Sequence, residues 1–156
     1  MYSTFFTKQR LFPTIKLPET LKELIEEHNL TQLELSVKTG IPNGNISNYL
    51  SHVHTPNFEN FVKLLYHFNC SADYLLGLTE FPSNETLHPV PPFHKRLREV
   101  LKERKMSQNE LRLRLDVSTS VMYKWTSGKS LPLLESIIRI ANALDCSVDY
   151  LIGRVH

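Results

Sequence analysis

The chain has no uninterrupted apolar run of membrane-spanning length, and Met1–Pro18 lacks the long apolar centre of a secretory signal. Both absences point to the cytoplasm and away from a membrane partner. Cysteine is scarce: Cys70 and Cys146 stand 76 residues apart, without the CxxC spacing of a metal or redox site. Each is expected to be a buried thiol of its own domain, the commoner case for cytoplasmic cysteines. The histidines, at 28, 52, 54, 67, 88, 94 and 156, show no ligand spacing suited to zinc. There is no glycine loop to cradle phosphate and no organised nucleophile and base. No enzymatic activity, metal or cofactor is therefore expected. No stretch alternates convincingly as a strand, which leaves an all-α fold.

A strong charge of either sign is also missing, but the net +2 conceals a split. Pro13–Pro82 carries four Lys/Arg against eight Asp/Glu, a balance of −4. Pro92–His156 carries twelve against seven, a balance of +5. Halves of opposite sign meet different partners, or one partner with different strength.

What is present is a repeat. A shift of 76 residues lays Leu21–Gly77 on Leu97–Gly153 without a gap, and fifteen of the 57 pairs are identical. CSADYLLG falls on CSVDYLIG, Pro56 on Pro132, Ile46 on Met122 and Tyr49 on Trp125. One long period with two copies means tandem domains rather than a solenoid. Leu78–Pro91, with three prolines and no helical period, is a linker of 14 residues that could extend over roughly 46–50 Å.

Within the first copy, Leu21, Leu24 and Ile25 mark a helix that starts near Pro18. Thr31 and Glu34 form a capping box that opens a second helix. Gly40 makes the turn, Ile41 plugs the angle, and Asn43–Leu50 is a third helix with Ile46, Tyr49 and Leu50 inward. Phe58 to Leu65 marks a fourth, and Ser71 caps a short fifth that stops at Gly77. The best-equipped stretch is Ser107–Lys129 of the second copy. Leu111, Leu115, Met122 and Trp125 are its inner positions, Asp116-Val117-Ser118 its turn, and Ser118 the cap of the next helix. The apolar N-terminal arm is expected to pack on its own first domain rather than cross to a partner subunit or reach into DNA, because only Lys8 and Arg10 offer it charge for phosphate.

The stretches 31–50 and 107–129, with the proline before helix four and the closing DYLLG and DYLIG, resemble the Cro and phage-repressor helix-turn-helix domain. The resemblance implies two five-helix, lambda-repressor-like domains in tandem. Their expected bounds are an arm at 1–17, an acidic domain at 18–78, a linker at 79–91 and a basic domain at 92–156. It implies double-stranded DNA as partner, with each third helix in the major groove. The implied base readers are Thr119, Ser120, Tyr123 and Lys124 in the second copy, and Asn43, Gly44, Ser47 and Asn48 in the first. Phosphate contacts fall to Gln108, Ser127, Gly128 and Lys129, and to Gln32. Surface packing is as good an account of Tyr123 as DNA contact, and Arg112 and Arg114 read as solvated charges.

The first copy departs from the pattern. His52 replaces the loop glycine kept as Gly128, Gly44 removes a reading side chain, and the −4 charge repels phosphate. The expected function is a DNA-binding transcriptional regulator of the repressor kind. The alternative confines DNA binding to domain 2 and gives domain 1 to dimerisation or a protein partner. Because the chain ends at His156, directly after the fifth helix of copy two, an inducing signal is expected from another protein or from abundance.

Overall fold

In a computed structural model, residues 15–156 are described; they hold ten α-helices and no strand. They divide into two compact units, the first ending at Leu87 and the second beginning at His88. Residues 1–14, most of the expected arm, lie outside the described residues. The first unit contains α1 (Leu17–Glu27), α2 (Gln32–Thr39), α3 (Asn43–Leu50), α4 (Phe58–Phe68) and α5 (Ala72–Leu75). The second contains α6 (Phe93–Glu103), α7 (Gln108–Leu115), α8 (Thr119–Ser127), α9 (Leu134–Ala143) and α10 (Val148–Ile152).

Six of the ten described helices start on a side-chain cap. The Thr31 hydroxyl accepts the Glu34 amide at 3.1 Å, and the Ser107 hydroxyl accepts the Glu110 amide at 3.0 Å. Ser71 and Ser147 do the same for α5 and α10. The chain turns alike in both copies even where the residues differ. Each left-handed residue of the first copy, Asn29, Gly40, His52, Asn69 and Gly77, has a left-handed counterpart 76 positions on. These are Lys105, Asp116, Gly128, Asp145 and Gly153. At the turn between the second and third helices, Gly40 (φ 78°) is thus matched by Asp116 (φ 55°). Aspartate is among the few side-chain-bearing residues that tolerate that conformation.

That turn lets α3 pack on both α1 and α2, and lets α8 pack on both α6 and α7. Ile41, behind the turn, is fully buried, as are Ile46 on α3 and Leu35 on α2. Leu50, expected to face inward, is only half-buried. It closes α3, where the chain leaves for the loop and no further turn covers it. Cys70 is buried, but Cys146 is half-buried, a correction to the expected buried thiol. In the sequence before it, Ala143 and Leu144 replace the larger His67 and Phe68 of the first copy.

The second unit is closed by arginines. Arg96 donates from Nε and Nη2 to the Tyr150 carbonyl at 3.1 and 2.8 Å and stacks on the Tyr150 ring. The Tyr150 hydroxyl donates to Glu103. Arg154, 4% exposed, donates to the His88 carbonyl at 3.0 Å, while the His88 amide donates to the Arg154 carbonyl at 2.7 Å. Within the stretch expected as linker, His88 and Pro91 are therefore held on the second unit; Pro91 fills the space that a side chain at Gly153 would occupy. In the first unit Thr20 stands at the position of Arg96. Burial, followed by Glu27 and Glu23, raises the pKa of the Tyr74 phenol there.

Two stability tests follow for the first unit. A side chain at Gly40 meets nothing but would be forced to φ 78°, whereas one at Gly44 also meets nothing and carries no such strain. Gly40→Ala should cost about 1–2 kcal/mol, and Gly44→Ala should stabilise by about 0.5–1 kcal/mol, both measured by thermal melts. His67 is held below its usual 6.5 by burial, then by Lys38 and His28. As pH falls below that value the unfolded chain takes the proton first, so stability drops. His67→Gln should flatten that drop between about pH 7 and pH 5, read by hydrogen exchange of first-unit amides.

Candidate nucleic-acid interface

In the second unit, α8 is an amphipathic helix of nine residues whose inner face is Met122 and Trp125, 2% and 7% exposed. Because these residues are three apart, they share one side of the helix and leave Thr119, Ser120, Tyr123 and Lys124 outward, all exposed. The Ser118 hydroxyl caps the first turn, accepting the Val121 amide at 3.1 Å.

The last turn is clamped from behind. Thr126, 4% exposed, donates its hydroxyl to Gln108 Oε1 at 3.0 Å, which ties α8 to the start of α7. Arg98 of α6 donates to the Thr126 carbonyl at 3.1 Å. The sequence reading assigned Gln108 to this area but missed Thr126 and Arg98. The signal was there for Thr126: a polar residue four positions after Met122, on the core-facing side, needs a buried partner.

Helix α8 ends at Ser127, whose hydroxyl turns back toward the Lys124 carbonyl at 3.4 Å. Gly128 follows at φ 81°, and the His94 ring of α6 lies 2.8 Å from where its Cβ would be. The Lys129 ammonium rests 5.0 Å from the centroid of the Tyr123 ring. Among the described residues, neither Lys124 nor Lys129 forms an ion pair. Arg114 pairs with Glu110 at 3.4 Å, and Arg112 bonds Asn109 at 2.9 Å.

The first unit presents the same backbone with a different surface. Gln32 at the start of α2 donates to Ser47 Oγ at 2.6 Å and Asn43 Oδ1 at 3.3 Å, two of the expected base readers. Gln32 therefore braces the outer face of α3, whereas Gln108 braces the last turn of α8. Asn43 and Gly44 are exposed and Asn48 is half-buried. The Tyr49 hydroxyl accepts from Asn60 at 3.0 Å. His52 keeps the left-handed turn at φ 65° and lies 3.5 Å from Glu19, an exposed pair worth little. It can occupy that site because Pro18 stands where the second unit has His94. No Lys or Arg occurs between Lys38 and Lys63, so α3 and the loop after it supply no permanent positive charge. A polar cleft of about 230 Å³ runs beside α3, with Asn45, Asn48, His54 and Asn57 in its walls.

Among the described residues, no group of three or more His, Cys, Asp or Glu is placed to hold a metal ion. No described helix is long and apolar enough to cross a membrane.

A capped second helix, a left-handed turn and an outward polar third helix, present twice, define a helix-turn-helix protein. Residues 97–151 match a family model described as helix-turn-helix, and residues 19–80 match a second, described as a helix-turn-helix domain. The chain thus carries two helix-turn-helix domains in tandem, consistent with a duplicated domain of the Cro and phage-repressor type. Over 73 residues it is 38% identical to the HTH-type transcriptional regulator ImmR of Bacillus subtilis (strain 168), covering 46% of this chain and 58% of that protein. Over 64 residues it is 33% identical to the uncharacterized HTH-type transcriptional regulator YobD of the same organism, covering 41% and 57%. The chain therefore spans little more than half the length of the curated relatives it matches. No solved structure matches.

The close approach of His94 to Gly128 gives a test of the loop. Gly128→Ala should cost the second unit roughly 1–3 kcal/mol from backbone strain and overpacking. His94→Ala should relieve part of that cost in the double variant. The chain's one tryptophan, Trp125, lies in this unit, so denaturation followed by its fluorescence reads the effect.

Proposed function

We propose that this protein is a sequence-specific DNA-binding transcriptional regulator acting as a repressor, with α8 in the major groove. The observation that carries the reading is α8 itself. It is held from behind by Gln108, Thr126 and Arg98, while Thr119, Ser120, Tyr123 and Lys124 face outward beside Lys129. Lysine can reach guanine O6 and N7, and the threonine and serine hydroxyls suit several base edges. Gln108, Ser127, Gly128 and Lys129 take the phosphates that set register. The printed descriptions of ImmR and YobD as transcriptional regulators support the same reading. A cytoplasmic location goes with it.

The first domain, 18–78, reads DNA more weakly through Asn43, Gly44, Ser47 and Asn48, with Gln32 holding two of them in place. The linker, expected over 79–91 but with His88 and Pro91 held on the second unit, raises the effective concentration of one domain once the other has bound. A second reading gives this domain to a protein partner or a second copy of the chain. The absence of Lys and Arg over its third helix and loop, and the exposed Leu33, Val37 and Val53, favour it.

Selection of full-length chain on a random pool of double-stranded DNA separates the two. A paired motif with fixed spacing is expected if both domains read, with half-site centres about 34–36 Å apart or a multiple of it. A single short motif would favour the second reading, and no enriched motif would overturn the function. On the selected duplex, Lys124→Glu and Lys129→Glu should each weaken binding more than tenfold, and Lys38→Glu by less than about twofold. Equal losses would remove the asymmetry between domains.

A further inference from the structure

Tyr123 and Lys129 belong to different elements, the outward face of α8 and the loop that follows it. Both side chains are exposed, yet the ammonium stands over the ring, 5.0 Å from its centroid. The first copy has Ser47 and Val53 at these positions, so the shared fold does not require the pair. A lysine on a loop ordinarily loses much rotamer freedom when it docks on a phosphate. One already resting on an aromatic face has lost part of that freedom beforehand.

The choice of partner matters. A carboxylate beside Lys129 would neutralise it and cancel its value for a polyanion. The face of a tyrosine ring attracts the cation through its quadrupole and leaves the full positive charge in place. Such an ammonium still displaces a counterion when it meets phosphate. The geometry therefore orders the charge without consuming it.

We infer that Tyr123 is a positioning residue for DNA-backbone recognition. Its ring holds the Lys129 ammonium at the edge of the reading helix, ready for a phosphate of the bound duplex. This rests on the DNA-binding reading of α8. It also resolves the two accounts of Tyr123: the ring packs against a neighbour, and that packing serves the contact.

The test is a double-variant cycle on the full-length chain, with the duplex recovered by selection as probe and fluorescence anisotropy as readout. Tyr123→Ala should weaken binding about three- to fivefold. In a Lys129→Ala background the same change should cost less than about 1.5-fold, because no ammonium remains to be placed. Tyr123→Phe, which keeps the ring face, should stay within about 1.5-fold of the unaltered chain. Lys129→Ala should lower the slope of log affinity on log salt by about 0.9, and Tyr123→Ala should lower it part of the way. A merely structural role would shift denaturation followed by Trp125 fluorescence and leave the salt slope unchanged. Equal losses in both backgrounds would overturn the inference, as would a Phe variant as damaged as the Ala variant. Failure of the unaltered chain to bind any duplex would instead overturn the reading on which it rests.

Discussion

A helix that must keep one whole face open can be held only by the other, and this constraint governs both halves of the molecule. α3 and α8 have eight and nine residues. That is well below the roughly 12–15 residues at which isolated helices become even marginal in water. Their helicity is supplied by burial: Ile46 and Tyr49 in the first unit, Met122 and Trp125 in the second. Each such side chain contributes about 1.5–3 kcal/mol when buried. The left-handed turn at Gly40 or Asp116 then sets the approach, because it lets one short helix lie against two others at once. Without that turn the inner pair could not reach the core, and the outer face would have no fixed direction.

Duplication has kept this frame and released everything outside it. The turns coincide residue for residue, including places where glycine faces histidine or aspartate. The surfaces diverge. In the second unit the glutamine of the second helix reaches a buried threonine, and cations stand on the outer face and loop. In the first unit the equivalent glutamine reaches the outer face itself, and the neighbouring walls are amides. Phosphate affinity depends on cations, so the proposed function expects more from the second copy than from the first.

Much of this was legible in the residues. The capping Thr31 and Ser107, the glycine turn, the inner pairs three apart and the ungapped register all act locally or by period. A reader of the chain sees them directly. The cap at Ser118 and the third-helix faces belong to the same category. Arg98 and His94 were not legible, because their meaning depends on partners 28 and 34 positions away; Thr126 signalled a buried partner, but not that it is Gln108, 18 positions back. The anchoring of His88 by Arg154 was hidden for the same reason, across 66 positions. Proline-rich composition described that stretch as linker, and only the pairing with Arg154, just past the last helix, shows where the second unit begins to hold it.

The sequence by itself determined the class of fold, the duplication, the helix order and the faces of each third helix. These follow from periodicity, capping and turn chemistry, which are written within a few residues of one another. Tertiary structure alone decided how the third helices are braced, which side chains are tied up behind them, and how Lys129 comes to stand over Tyr123. Those outcomes depend on side-chain directions across packed helices and loops, a geometry that exists only once the core has closed.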